Sequence, residues 1–409
     1  MKRILLLTDI PPCSNYTAGL VTAQLCRHLP AGALSIFCVQ NRGLKPEYCA
    51  DLAGMPMRTV QKPLETALEE RHGGKLLRPL TIPLEFSRRW LLVPPLIRQA
   101  VAYGREQGAE VLWAILQGQT LIRMALPVAQ SLGVPLLTQV WDPLSWWLRA
   151  HRVDRPNRIL DHRAFDRTMR ASLGCAAASE AMAETYKARY GTPGVPVIAA
   201  LAHEVAQHPP GRLHQDGALV IGMAGQFYAG AEWMKLSATL QAMQWNVAGR
   251  QVRLVVLGGN TPPGEIPPDR LEVLGWRPQA EAVRTLAERC DVLFCGYPCS
   301  TDMREVAQLS FPAKLPTYFA AGRPVLFVGP GDSSPFRYLS RRGAAACVPA
   351  PDLWLIQAAL LRLAEDPAWF ASLATAGQQA FAEDFTLARQ ARKFQRFLAL
   401  AGAEPEARV

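Results

Sequence analysis

The chain has 409 residues, 49% of them hydrophobic and 19% charged, which excludes a disordered polymer and a disulfide-stapled mini-protein. At roughly 100–200 residues per domain, this length predicts two domains. Lys and Arg outnumber Asp and Glu by 44 to 34, a formal charge of +10, so the protein's field favours polyanions, phosphorylated ligands or anionic lipid. Specific nucleic-acid binding has no motif behind it: there is no RNA-recognition signature, finger spacing or lysine-rich arm.

The opening MKRILLLTDIPP is basic, but its apolar run before Asp9 is too short for a secretory core and reads as a first strand. Short apolar runs of β-rich composition follow in chain order: ALSIFCVQ, VLWAIL, PLLTQVWD and GCAAAS, then LVIGMAG, VRLVVLGG, LEVLGW, DVLFCGY, RPVLFVGP and AAACVP. Helical patterns separate them. Continuous apolar strands alternating with helices predict an α/β fold of parallel sheets covered on both faces. The uncharged stretch from Met124 to Trp141 carries Gln130, Ser131, Gln139 and an LGVP break, so it reads as helix, turn and strand rather than a membrane span.

Between the two series lies EVAQHPPGRLHQDGA, rich in Pro, Gly, His and Gln. It sets a first domain at 1–205, a linker at 206–217 and a second domain at 218–384, each doubly wound and Rossmann-like. FTLARQARKFQRFLAL spaces Phe385, Ala388, Ala391, Phe394 and Leu398 along one helical face, giving an amphipathic terminal helix over 385–402 before a tail at 403–409. Residues 63–93 are less regular, with three prolines and four arginines among large apolar residues. They read as an insertion that meets a membrane surface or an acceptor, or that packs on its own domain. The nine cysteines are scattered, mostly inside apolar runs, which fits buried thiols in a reducing cytoplasm. Cys290, Cys295 and Cys299 have neither C-x-x-C spacing nor a nearby histidine, so no metal site is expected.

Ligands of open parallel sheets bind beyond the carboxyl ends of the strands, which directs attention to the loops there. After the first strand, PPCSNYTAGL offers small residues suited to close approach by a ligand, or a plain strand-to-helix turn. In QVWDPLSWW, Asp142 stands among indoles. That pattern suits a sugar, whose apolar face stacks on rings while a carboxylate accepts its hydroxyl protons, and it equally suits a helix cap. In SFPAKLPTYFAAGRPVLFVGPGDSSPF, Ser310 is placed to cap a short helix and Lys314 to add a charge in its first turn. A helix N-terminus with a lysine suits a diphosphate, and the plain alternative is a helix–strand unit with Lys314 in solvent. No Asp-x-Asp pair occurs, which argues against an enzyme that clamps a nucleotide sugar through a metal.

Taken together, these segments resemble the family-4-like glycosyltransferases of the GT-B fold. SFPAKLPTYFAAGRPV is similar to the family's S-x-P-x-K-L-x-E-Y-x-A-x-G-x-P-V segment, LEVLGWRP and ERCDVLFCGYP to the strands leading into its donor site, and LGCAAASEAMAETYKARYG to its alanine-rich strand, Ser-Glu and helix. In the first domain, ILQGQTLIRMALPVAQSLGVPLLTQVWDPLSWW is similar to the run that ends in the family's Asp-Trp-Pro-like element. The resemblance implies two Rossmann-like domains facing a cleft, with the last helix crossing back to the first. It implies a nucleoside diphosphate sugar as donor substrate, no cofactor, no metal, and transfer with retention to a glycan or lipid-linked acceptor. Donor contacts would be Gly225, Gln226, Gly275, Trp276, Arg277, Ser310, Lys314 and Thr317. Acceptor contacts would be Asn15, Tyr16, Thr17, Gly19 and Trp141, with Asp142 catalytic.

The departures from the family are specific. Leu309 and Thr317 stand where the family carries two glutamates, and Gln226 replaces an arginine. Glu305 or Asp302 is placed to supply an acid from the adjoining loop. The expected function is a hexosyltransferase of polysaccharide or glycoconjugate biosynthesis, cytoplasmic or peripheral at the inner face of a membrane. The alternative is a catalytically silent protein of the same fold that binds a glycan, a nucleotide or a partner glycosyltransferase.

Overall fold

The structure, a computed structural model, describes residues 2–65, 78–206, 208–211, 217–259 and 261–402. The expected tail at 403–409, residues 66–77 of the expected insertion and residues 207 and 212–216 of the expected linker lie outside these. The chain divides into two compact units, Met1–Val197 with Ala391–Val409, and Ile198–Gln390.

The first unit is built on seven parallel strands: β1 (Ile4–Thr8), β2 (Leu34–Asn41), β3 (Met57–Lys62), β4 (Val111–Ile115), β5 (Leu136–Val140), β6 (Gly174–Ala177) and β7 (Gly194–Pro196). They lie in the order β3-β2-β1-β4-β5-β6-β7. Every residue of β1, β4, β5 and β6 is buried, which is why these strands are mostly apolar rather than alternating, with Thr8, Thr138 and Gln139 the buried polar exceptions. β3 is an edge strand, MRTVQK, exposed along most of its length, and its polar composition gave no strand signal. One face is closed by the end of the terminal helix Leu387–Ala399, whose Phe394 packs 5.0 Å from Trp113 between ring centroids. Phe394 and Phe397 are fully buried there, each stabilising the unit by about 1.5–3 kcal/mol.

The second unit holds β8 (Leu219–Ala224), β9 (Asn246–Val247), β10 (Arg250–Leu257), β11 (Leu271–Gly275), β12 (Val292–Gly296), β13 (Val325–Val328) and β14 (Ala345–Val348). Six run parallel in the order β11-β10-β8-β12-β13-β14, and β9 pairs antiparallel with β10. Val283, Leu286 and Phe319 cover one face, Trp233, Leu236 and Leu360 the other.

In both units the chain starts mid-sheet, winds outward to one edge, then returns to wind toward the other. The strand order therefore reverses between β1 and β4 in the first unit and between β8 and β12 in the second. Helices on opposite faces diverge at such a switch point and leave a crevice beyond the strand ends, which is where open α/β sheets bind ligands. Among the described residues, no helix is long and apolar enough to cross a membrane.

Candidate functional site

At the switch point of the second unit, β8 runs into Gly225, whose φ of +89° an L side chain rarely adopts. Gly225 N–H donates to the Leu257 carbonyl at 2.8 Å, and Gly258 N–H to the Gly275 carbonyl at 2.9 Å, so the three strand ends are tied by glycines. A side chain at Gly258 would stand 2.8 Å from the Gly225 carbonyl oxygen, which explains the glycine there. The short helix Leu315–Ala320 is anchored over this edge by Tyr318. Its hydroxyl accepts from Ala224 N–H at 2.9 Å and donates to the Phe294 carbonyl at 3.1 Å, gripping the ends of β8 and β12 together.

That grip places Lys314. Its ammonium donates to the Gln226 carbonyl at 3.3 Å and lies 5.3 Å from the centre of the Tyr228 ring. Among the described residues it meets no carboxylate. The surrounding protein strips water from the ammonium and lowers its pKa below the ordinary lysine value, while Gly225 and Gln226 beside it are exposed. A half-buried cation without a counter-charge among the described residues, at a strand-end crevice, is suited to an anionic ligand.

Ser310 does not cap this helix, contrary to expectation. It ends the preceding helix Arg304–Leu309 in extended conformation, and Lys314 occupies the N-cap position with no side-chain cap. The prolines decide this: Pro312 disfavours helix at Phe311, and Pro316 favours a start at Leu315. Thr317 is half-buried within the helix. Gly275 ends β11 at φ +72°, followed by Trp276, 67% exposed, and by Arg277, paired with Glu281 at 3.5 Å. Asp302 is exposed and Glu305 half-buried. Glu232 is a buried acid that sequence reading did not single out, and it accepts from Cys299 N–H at 2.8 Å, fixing the loop beyond β12.

In the first unit, β1 and β5 flank β4, so the expected acceptor loops leave one edge of the sheet about 10 Å apart at the usual strand spacing. Asn15 Nδ2 donates to the Lys45 carbonyl at 2.9 Å, its Oδ1 accepts from Glu47 N–H at 3.0 Å, and the Tyr16 hydroxyl accepts from Lys45 N–H at 3.3 Å. These two side chains thus order the loop beyond β2, while Thr17 is exposed. Trp141 and Asp142 are half-buried beyond β5, and the next helix, Leu144–Ala150, has Pro143 at its N-cap, so Asp142 is not its cap. Gly19 is required by packing: a side chain there would strike Cys13 Sγ and lie 2.9 Å from the Pro11 carbonyl. Gly19→Ala is expected to destabilise the protein by about 1–3 kcal/mol, read as a lowered urea midpoint at unchanged slope.

At this unit's own switch point the structure assembles a polar cluster that no sequence pattern announced. Lys62, at the end of β3 and 2% exposed, pairs with Glu65 at 3.1 Å. The Glu65 carboxylate also accepts from Gln119 N–H at 2.9 Å, from Thr120 N–H at 2.8 Å and from the Thr120 hydroxyl. Gly118, at φ +75°, leaves room for it, since a side chain there would collide with Glu65 Oε2. Behind them the fully buried Asp161 accepts from Gln119 Nε2 at 2.7 Å, Arg89 Nη2 at 2.8 Å and Arg123 Nε at 2.8 Å.

Asp9, just beyond β1, is also buried, and its Oδ1 has no hydrogen-bond partner among the described residues. Burial raises its pKa to about 6, against the pull of Lys62. The unfolded chain releases this proton near pH 4 while the folded chain keeps it to about pH 6, so stability falls as pH rises between these values. Asp9→Asn is therefore expected to stabilise the protein at pH 8, by up to about 3 kcal/mol, and to be neutral near pH 4. Urea titrations at the two pH values check this.

No protein-family profile matches the chain, and no curated protein matches it by sequence. Solved structures match its shape. HepE of Anabaena, solved with UDP and glucose, is 13% identical with a TM-score of 0.64, the match covering 98% of this chain and 100% of that one. Sucrose-phosphate synthase of Thermosynechococcus elongatus is 14% identical with a TM-score of 0.65, covering 98% and 100%. The lipopolysaccharide outer core galactosyltransferase WaaB, in its apo form, is 12% identical with a TM-score of 0.63, covering 97% and 99%. Identities this low speak to fold alone, and on that ground the chain has the GT-B fold, two Rossmann-like domains of parallel sheet in one polypeptide.

Proposed function

We propose that the protein is a glycosyltransferase that moves a hexose from a nucleoside diphosphate sugar, UDP-glucose or a close relative, to a glycan or lipid-linked acceptor in polysaccharide or glycoconjugate biosynthesis. The observation that carries this reading is Lys314, a half-buried cation without a carboxylate partner among the described residues, held by Tyr318 over the switch point of the second unit. HepE, of the same fold, has been solved with UDP-glucose at 13% identity, which supports the choice of base.

In this reading the second unit binds the donor. Lys314 neutralises charge as it builds on the departing diphosphate, an interaction worth more in the reaction than at rest because it strengthens when the bond breaks. Gly225 and Gln226 offer exposed backbone beside it, half-buried Thr317 offers a hydroxyl, and Ser310, buried, stands just before the segment that carries Lys314. The exposed face of Trp276 is free to stack on the base, with Gly275 and Arg277 at its side. The acceptor is bound by the first unit, through the loops bearing Asn15, Tyr16, Thr17, Gly19 and Trp141, and Asp142 orients its hydroxyl. The bond from the anomeric carbon to the phosphate oxygen breaks as the bond to the acceptor oxygen forms on the same face, and the hydroxyl proton passes to the leaving phosphate. Configuration is retained, and the charge work falls to Lys314 rather than to a metal ion.

Peripheral attachment at the inner face of a membrane belongs to the same reading. The helix Arg78–Ser87 and the π-helical turn Arg88–Leu92 expose Leu80, Ile82, Trp90 and Leu91 on a chain of net charge +10, which supports contact with an anionic surface. The test of function is transfer itself. Purified protein with isotope-labelled UDP-glucose and fractionated glycan and glycolipid acceptors is expected to yield labelled product whose anomeric NMR coupling matches the donor's. A donor that binds but is never turned over with any fraction, with a partner glycosyltransferase productive on the same material, would overturn it in favour of a silent binding protein.

A further inference from the structure

The polar cluster of the first unit opens into a cavity of about 190 Å³. A single water needs only about 10–15 Å³ by the same measure, so the space admits a ring or a short chain. Its two sides differ in kind. The floor carries Lys62, Glu65 and Thr120, and the wall carries Leu91, Leu92, Pro95 and Leu96 from the π-helical turn and the helix Val93–Glu106.

The floor restricts the occupant. Lys62 Nζ is buried and ion-paired with Glu65 at 3.1 Å, and among the described residues it has no further hydrogen-bond partner, so one ammonium with three donors still has donors to give to a ligand. A wholly apolar ligand would leave those donors dry, at the cost of unsatisfied buried N–H groups. A phosphate would have to approach the same ammonium against the Glu65 carboxylate 3.1 Å away, while of the other cations lining the cavity Arg123 is already held by Asp161 and Arg88, half-buried, already has a partner of its own. An uncharged hydroxyl oxygen meets neither objection. The wall asks for the opposite chemistry: apolar side chains, Leu91, Leu92, Pro95 and Leu96 among them, face the space, and Leu91, 69% exposed, stands at its mouth.

We propose that this cavity is a binding site for a neutral amphiphilic glycoside, with sugar hydroxyls on Lys62 and Thr120 and an alkyl or lipid portion along Leu92, Pro95 and Leu96, leaving over Leu91. It deepens the acceptor half of the function proposed above and rests on that reading only for turnover, since binding requires no donor.

Hexyl β-D-glucoside, below its micellar concentration, is the probe, titrated by calorimetry into the full chain, with glucose and 1-hexanol as its separate halves. Saturable binding is expected, at least about tenfold tighter than either half. Leu91→Ser and Lys62→Met are each expected to weaken it by about tenfold or more, the scale of one apolar side chain or one charge-assisted hydrogen bond lost. Leu91 is exposed, so its substitution decides the matter even where Lys62→Met fails to fold. Unchanged affinity in Leu91→Ser, hexanol binding as tightly as the glucoside, or no binding at all would each overturn the site. UDP-glucose binding, assayed in parallel, separates the two readings: glucoside binding without nucleotide binding leaves the cavity in place and removes the donor assignment.

Discussion

Replacing Asp161 by asparagine is expected to destabilise the first unit by about 3–5 kcal/mol. The reason is what remains behind. Asp161 is fully buried, and its two oxygens accept from Arg89, Arg123 and Gln119. Arg123 is only 5% exposed and Arg89 18%, so removing the negative charge leaves guanidinium groups that water reaches poorly. Three elements share this carboxylate: the π-helical turn Arg88–Leu92, the helix Gly118–Leu132 and the helix Arg155–Ala171. The loss should thus appear as a lowered urea midpoint together with faster exchange of the Gly118–Leu132 amides. The surface pair Arg27–Asp51 is a control. Both its partners are largely exposed, at 42% and 54%, and Asp51→Asn is expected to cost no more than about 1 kcal/mol. A loss of that small size for Asp161→Asn would mean that the cluster is hydrated and does not organise the switch point.

Lys314→Met is expected to lower turnover by about 100–1000-fold with little loss of fold, because it keeps the apolar stem and removes only the charge. Burial already depresses the pKa of the ammonium, so the folded protein bears a cost for holding it charged, and the methionine chain should be as stable or slightly more so. Lower activity at unchanged or raised stability is the signature of a group kept for a ligand rather than for the fold. Lys314→Arg is not a neutral exchange: a planar, wider guanidinium does not present its charge as the compact ammonium does beside Gln226 and Tyr228, and only partial rescue is expected.

Much of the architecture was legible from composition alone. Apolar runs such as RILLLTD and DVLFCGY are fully buried strands, β1 and β12, and reading them as parallel followed from their lack of alternation. The strands that escaped notice have physical excuses. β3 is an exposed edge with the sequence MRTVQK, β7 is three residues long and ends on a proline, and β9 is two residues long. Around Lys314 the short helix was legible, but capping was misassigned because two prolines outweigh a serine in deciding where that helix begins. The grip of Tyr318 on Ala224 joins residues 94 apart, and no local pattern foretells it.

The cluster of the first unit was invisible for the same reason. Glu65 meets Gln119 across 54 residues and Asp161 meets Arg89 across 72, while each residue alone looks like an ordinary surface charge. Only the fold, which brings the segment after β3, the helix after β4 and the helical segments that carry Arg89 and Asp161 together, turns them into one site. The oddity that sequence did offer was the run of arginines and large apolar residues near 88–92, which proves to supply both Arg89 to the buried carboxylate and Leu91 and Leu92 to the cavity.

The measurement that bears most directly on the donor site is a thermal-shift titration of UDP-, GDP-, dTDP- and ADP-sugars against the native chain and Lys314→Met. A ligand that binds only the folded state adds about 2.7 kcal/mol of stability at one hundred times its Kd. The expected result is selective stabilisation by a uridine sugar, UDP-glucose foremost, that is lost in Lys314→Met while the variant's unliganded melting temperature holds. No stabilisation of the folded native chain by any of the four at saturating concentration, or an equal shift in the variant, would contradict a diphosphate site at Lys314.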